Sequence, residues 1–273
     1  MRIINRKPSR VTALALGLLP FVLTLVAYVI ASHYRRLDNP ADKLLPSITS
    51  MGEAFWRMAA VPDRRSGDLL LWLDTFDSLW RLGTGMAVST LLAISLGIAI
   101  GFIPHIRSGL APYLATFSLI PPITILPILF ITFGLGELAK IALIVIGTAP
   151  VMIRSTAQAV LDIPREMIIK AETLGASVLQ MVTRLVLPQV LPHLITSLRL
   201  SLVPAWIFLI SAEAIASTSG LGYRIFLVRR YLAMDVILPY VVWITLLAFL
   251  LDRALLLLSR RAFRWHHLGG DAL

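Results

Sequence analysis

Three stretches of the chain run without a charged residue for longer than a bilayer is thick: Val11–Ser32, Leu82–Pro104 and Ser108–Gly136. A helix rises roughly 1.5 Å per residue, so about 20 apolar residues cross the hydrocarbon core. Shorter uncharged runs lie at Ile141–Ile153, Leu200–Ala212 and Val236–Leu251. Extended over their flanks, they bring the number of spans to about six. None alternates polar and apolar residues as a barrel strand does, so the spans are helical and the fold class is an all-α polytopic membrane protein. Composition agrees: of 273 residues 58% are hydrophobic and 15% charged, too little polar surface for a soluble domain of this size. The first run is too long for a signal peptide and lacks a small-residue cleavage site, so it reads as a retained first helix.

Basic residues in tails and short loops set the expected orientation. Arg2, Arg6, Lys7 and Arg10 precede the first span, and Arg253, Arg260, Arg261 and Arg264 follow the last, as an even number of spans with both termini in the cytoplasm requires. Arg107 lies between spans two and three, and Arg154, Arg165, Lys170, Arg184 and Arg199 flank the segment between the fourth and fifth. The opposite side carries Arg35, Arg36, Arg64, Arg65, Arg229 and Arg230, most of them in a long loop where the rule is weak. The expected organisation is a cytoplasmic tail (1–10), a first span (11–32), a periplasmic loop with an interfacial helix (33–82), a core (83–260) with a cytoplasmic loop at 162–186, and a cytoplasmic tail (261–273). Basic residues facing anionic membrane lipid account for the net charge of +10, and no nucleic-acid partner is needed.

Catalytic chemistry is hard to find. With no cysteine there is no disulfide, thiolate metal site or cysteine nucleophile. The sequence holds no G-x-x-x-x-G-K-[ST] phosphate loop, G-x-S-x-G elbow or H-E-x-x-H pair. No catalytic residue, metal site or cofactor is expected in this chain.

Between the first two spans, "LLLWLDTFDSLWRLG" places Leu69, Trp72, Leu73, Phe76, Leu79 and Trp80 at helical spacing opposite Asp74 and Asp77. That pattern suits a helix lying on the outer membrane surface, or an N-terminal extension of span two. The third span holds Pro121, Pro122 and Pro127. Each removes an intrahelical hydrogen bond, tolerated in lipid where protein or a water-filled cavity re-satisfies the carbonyls. A broken helix with Ser118 and Thr124 beside Pro121 and Pro122 is a candidate pathway wall, with plain kinked packing as the alternative.

The mixed-charge segment "IIKAETLGASVLQMVTRLVLPQVLP" interrupts this apolar sequence. Ile163–Leu174 reads as a short helix, Gly175 as a hinge, Val178–Val186 as a second short helix, and Pro188 and Pro192 as a bend back into the membrane. Two short helices around a glycine bury little against each other, so the projection needs a partner's groove. Here the chain resembles the permease subunits of ABC importers, whose cytoplasmic loop follows E-A-A-x3-G-x9-I-x-L-P. Gly175, the nine residues after it, and Leu185, Val186, Leu187 and Pro188 match in spacing. Ala171 fills the third position, while Ile169 and Lys170 replace the usual Glu and Ala. "IPPITILPILFITFGLGELAKI" and "SLRLSLVPAWIFLISAEAIASTSGLGY" extend the resemblance over nearly the whole chain, and it is closest to the nitrate, sulfonate and taurine importer class.

The resemblance implies a type I importer permease that forms the translocation pathway for a small nitrogen or sulfur compound. Its implied partners are a second permease copy, two ATPase subunits that bind ATP and Mg, and a periplasmic solute-binding protein. The ATPase-coupling residues would be Glu166, Lys170, Ala171, Glu172, Thr173, Leu174, Gly175, Ala176 and Ser177, with Glu166 or Glu172 in place of the missing acid. Independently of the resemblance, Glu213 is a pathway candidate, because an acid in an apolar helix is costly. Trp206 and Ser217 share its expected face, and an ion pair with Arg224 or a gate role is the alternative. Gly220 and Gly222 suit a tight turn at the outer mouth. An ATP-independent channel or facilitator is the competing function, and a membrane enzyme a third.

Overall fold

The computed structural model describes residues 9–39, 42–64 and 66–267. Of the tails expected at 1–10 and 261–273, residues 1–8 and 268–273 therefore lie outside the described residues. Those residues form helices and connecting turns, with no strand among them. In chain order the helices are α1 (Arg10–Asp38), α2 (Ile48–Ala60), α3 (Leu70–Leu92), α4 (Ile98–Phe102), α5 (Pro104–Phe117), α6 (Leu126–Phe133), α7 (Glu137–Leu161) and α8 (Arg165–Thr173). They are followed by α9 (Val178–Met181), α10 (Leu187–Ile215), α11 (Leu221–Arg229), α12 (Met234–Ala262) and α13 (Arg264–His267). Among the described residues five helical stretches are long and apolar enough to cross a membrane, or six if α5 and α6 together make one broken span.

Helix α7 is the central element and packs most extensively on α10 and α3. The close approach to α3 follows from a small residue at every fourth position: Gly85, Ser89, Ala93, Gly97 and Gly101. Such a stripe lets helix backbones approach where lipid supplies no hydrophobic drive. A methyl group added at Gly97 would lie 2.7 Å from Thr156 Cβ, and Ser89 Oγ bonds Thr148 Oγ1 at 2.8 Å across the same seam. Helix α1 stands apart. Its apolar surface is exposed along its length, and Tyr28 and Ser32 tether it by donating to the Pro46 and Leu45 carbonyls at 2.7 and 2.9 Å.

The structure changes several sequence expectations. No separate surface helix forms at 69–82. Helix α3 starts at Leu70 and continues through a π turn (Ala93–Gly97) into α4, so this segment is the first part of span two. Its faces are also reversed: Asp74, Ser78 and Arg81 are buried, while Trp72, Phe76 and Trp80 are exposed. Burial follows hydrogen bonding here, since an aromatic side chain gains nothing from leaving lipid and an unpaired charge loses heavily by facing it. Pro188 and Pro192 do not bend the chain away, because helix continues from Val178 through a π turn (Val182–Val186) to Ile215. The third span is broken, with its halves at 83°. Helix α2, inside the long first loop, was not anticipated.

Candidate functional site

Two places concentrate function-bearing groups, one at each end of the bundle. At the first, α8 ends in a Schellman motif: the Gly175 N–H donates to the Glu172 carbonyl at 2.9 Å and the Ala176 N–H to the Ala171 carbonyl at 3.0 Å. This closure places Gly175 at φ 79°, a left-handed conformation that a side chain disfavours. Ser177 then caps α9, accepting from the Gln180 N–H at 3.3 Å while the Gln180 side chain accepts from the Ser177 N–H at 2.9 Å. The base of the projection is anchored by Ile163, Val186 and Val190, packed on Ile98 and Val160. Its tip is uncovered: Leu174 is 79% and Leu179 73% exposed, with Ile169 and Val178 beside them. Glu166, Lys170, Glu172 and Thr173 are exposed too, and Ala171 and Ala176 are half-buried. The two acids make no ion pair among the described residues.

At the opposite end a buried charge network joins five helices. Arg81 uses all five guanidinium donors. Nε and Nη2 bind the Glu137 carboxylate at 2.5 and 2.9 Å, and Nη1 binds Glu213 Oε1 at 2.6 Å. The remaining two reach the Ser219 carbonyl at 2.9 Å and Ser219 Oγ at 3.4 Å. Glu213, 0% exposed, also accepts from Ser78 Oγ at 2.8 Å and from the Gly222 N–H at 2.9 Å. Asp74 accepts from the Gly220 N–H at 3.0 Å, from Arg224 Nε at 2.8 Å and from Tyr240 OH at 3.2 Å. The Leu221 N–H donates to Ser78 Oγ at 2.9 Å. Ser219 Oγ donates to Asp77, and Lys140 pairs with Glu137 at 2.9 Å. Burial works against the Arg224 charge, but the hydrogen bond to Asp74, the Asp74 charge and smaller contributions from Tyr240 and Tyr223 together outweigh it and lift the group above its ordinary range.

The three successive N–H groups at 220–222 begin α11, where a helix has no internal acceptors, and Asp74, Ser78 and Glu213 serve as its cap from other helices. Gly220 is needed twice over. Its φ is 120°, and an added methyl group would come within 3.0 Å of the Glu213 carboxylate and of Arg81. Gly222 is not part of a turn. It sits inside α11, where a methyl group would lie 2.7 Å from the Ile210 carbonyl.

Of the expected pathway residues, Ser118, Pro121, Pro122 and Thr124 lie together at the α5–α6 break. There Ser118 Oγ donates to the Leu114 carbonyl at 2.6 Å and Thr124 Oγ1 to the Pro121 carbonyl at 2.7 Å. Trp206 is buried in α10, its indole N–H without a hydrogen-bond partner among the described residues. Ser217 does not extend the Trp206–Glu213 stripe, because α10 ends at Ile215 and Ser217 Oγ turns back to the Ser219 carbonyl at 2.6 Å. The base paired with Glu213 is Arg81, while Arg224 serves Asp74. Asp74, Ser78, Arg81, Glu137, Lys140 and Tyr240 were missed. The signal for the first three was their i, i+4, i+7 spacing on one helix face.

Comparison with known proteins places these two sites in context. The family described as binding-protein-dependent transport system inner membrane component matches residues 69–264. The taurine transport system permease protein TauC of Escherichia coli (strain K12) is 36% identical over 199 residues, covering 73% of this chain and 72% of its own. A probable ABC transporter permease protein of Brucella melitensis is 30% identical over 94% of this chain and 99% of its own. The bicarbonate transport system permease protein CmpB of Synechococcus elongatus is 30% identical over 74% of this chain and 73% of its own. In fold, the chain resembles one from the inward-facing MetNI methionine ABC transporter, with a TM-score of 0.56, 21% identity and coverage of 71% of this chain and 96% of that one.

Proposed function

Since the chain belongs to the binding-protein-dependent transport system inner membrane component family, and is a multi-pass permease subunit of an ABC importer, we propose that it carries a small oxyanion-bearing solute and is driven through the Glu166–Ser177 projection. Both termini and the projection lie in the cytoplasm, and the Glu213 network lies at the periplasmic end. Two copies of the chain enclose the pathway, two ATPase subunits bind ATP and Mg and seat the projections, and a periplasmic binding protein delivers the solute. Relatives named for taurine, aliphatic sulfonates and bicarbonate support this solute class, since each of those compounds carries an acidic oxygen group.

The observation that carries the coupling role is the uncovered tip. Leu174, Val178 and Leu179 are exposed, as are Glu166 and Glu172 of α8, which have no ion pair among the described residues, on a base anchored to the spans. An exposed apolar patch rimmed by charge marks a protein interface. ATP-driven closure of the ATPases pushes α8 and α9. Because helix is continuous from Val178 to Ile215, the push reaches α10 as a rigid-body movement. The α5–α6 bend with Ser118, Pro121, Pro122 and Thr124 lines the pathway. Trp206, Glu213 and Ser217 belong to the pathway and Gly220 and Gly222 to its outer gate, with Glu213 bracing the gate from behind.

Purified alone, the permease is expected to hydrolyse no ATP, and with its ATPase to form a complex of two permease and two ATPase subunits. Native mass measurement and ATPase assays on the same preparation check both. An active transporter lacking any ATPase subunit would refute the proposal and favour the facilitator. Ile169→Glu restores the acid usual in the family at an exposed position, so assembly should persist and ATPase co-purification rise severalfold. Weaker co-purification would show that Glu166 or Glu172 already occupies the partner's basic site.

A further inference from the structure

Most charged side chains within the spanning helices are paired. Arg81, Lys140 and Glu213 serve the network, and Arg199 binds Asp252 at 2.8 Å. Arg184 of the Val178–Ile215 helix is not paired, and neither is Arg154. It lies on α7 seven residues before Leu161, roughly 10 Å from the helix end, and has no hydrogen-bond or ion-pair partner among the described residues. It is exposed with Ser155 and Gln158 on one face of the last turns of α7, while the residue above them on that face, Val151, is apolar and 57% exposed.

Arg154 lines a cavity of about 280 Å³ between α4, α5 and α7, together with Arg107, Gln158, Ile100, Ala111 and Leu114. No carboxylate lines it. Arg107 is held in place at the end of α4, where Nε and Nη2 donate to the Ile100 and Gly101 carbonyls at 3.0 and 2.5 Å. Asp162, one turn beyond Gln158, accepts from the Gln158 amide at 2.8 Å. Two guanidinium groups thus share a small cavity without a counter-ion. An ionised side chain within a span faces water or protein rather than acyl chains, and two like charges beside one low-dielectric wall focus a field that concentrates anions.

The geometry points to this cavity as a binding station for the oxyanion group of the transported solute in the cytoplasmic half of the pathway, with Arg154 as the group that touches it. The inference rests on the importer function and adds a location and a charge class. A guanidinium offers parallel N–H donors matched to two oxygens of a sulfonate or carbonate. Gln158 supplies a neutral amide beside it. A lipid phosphate offers similar oxygens, so the test separates the two sources.

The absence of cysteine makes an introduced thiol unique in the chain. Gln158→Cys is prepared in the permease–ATPase complex in phosphatidylcholine nanodiscs, with the wild-type complex as background. Modification by a sulfonatoethyl and by a trimethylammonium-ethyl methanethiosulfonate is timed, each rate normalised to that of 2-mercaptoethanol. The anionic reagent should be favoured by about tenfold. Adding Arg154→Gln should abolish that preference, and saturating ethanesulfonate should slow the modification. Where Gln158→Cys complexes do not assemble, Ser155→Cys on the same face gives the same comparison. A ratio at or below unity, one insensitive to Arg154→Gln, or failure of both reagents to react would overturn the proposal, the last by placing this face against a partner. A ratio that follows phosphatidylglycerol content and ignores ethanesulfonate would assign the site to lipid. Failure of the importer function would register separately, as absence of ATP-driven uptake by the wild-type complex with its binding protein.

Discussion

Arg81→Met should cost about 3–5 kcal/mol and leave little monodisperse permease after purification, because removing one partner strands a buried charge. Glu213, with no exposed surface, would keep only Ser78 and the Gly222 N–H, and Ser219 would lose its two bonds from the guanidinium while keeping Asp77 and Ser217. Glu137, 51% exposed, reaches water and suffers less. Glu213→Gln keeps the shape and leaves Arg81 its bidentate pair with Glu137, so its cost should be nearer 1–3 kcal/mol. Arg81→Met with Glu213→Met should be less damaging than Arg81→Met alone, since no uncompensated ion remains between them. Thermal recovery of detergent-solubilised protein ranks the three. If Arg81→Met survives heating like wild type, the network does not hold this end together. Uptake by Glu213→Gln complexes that assemble then asks whether the brace also gates.

Gly175→Val should reduce ATP-driven uptake by at least about tenfold while the spans remain folded. No neighbour lies within 4 Å of an added Cβ, so the obstacle is the backbone: at φ 79° a β-branched residue is strained, and the turn must open. Opening it breaks the two Schellman bonds and swings α8 relative to α9, moving Leu174 and Leu179 off a shared surface. Because α8 is not a spanning helix and the strained turn precedes the start of the Val178–Ile215 helix, membrane insertion and the thermal recovery of the bundle should match wild type. Gly175→Asn, which tolerates the left-handed region, should retain more uptake than Gly175→Val. That difference separates a conformational effect from loss of a contact. Equal uptake by Gly175→Val and wild type, with equal ATPase co-purification, would remove the projection from the coupling pathway.

Much of this was legible before any coordinates. The uncharged runs required membrane-spanning helices, because backbone groups in lipid must be satisfied within a segment. The glycine after a mixed-charge helix marked the projection, because C-terminal caps are local and depend on a few neighbouring residues. The proline pair at 121–122 marked the break in the third span for the same reason. What the helices do to one another was not legible. In "LLLWLDTFDSLWRLG" a rule suited to water assigned the apolar stripe to packing and the acids to solvent, whereas the acids and Arg81 face inward and the aromatics face out. In a bilayer both faces of a helix contact apolar surroundings, so hydropathy does not choose between them. Polar groups that find partners do, and the partners of Asp74 and Arg81 come from α7, α10, α11 and α12, more than fifty residues away in sequence. Local sequence determined the spans, the projection and its hinge, because each depends on neighbours along the chain. The Arg81–Glu213 brace, the cap on α11 and the counter-ion-free cavity at Arg154 were decided only by tertiary structure, which alone brings distant charges together or keeps them apart.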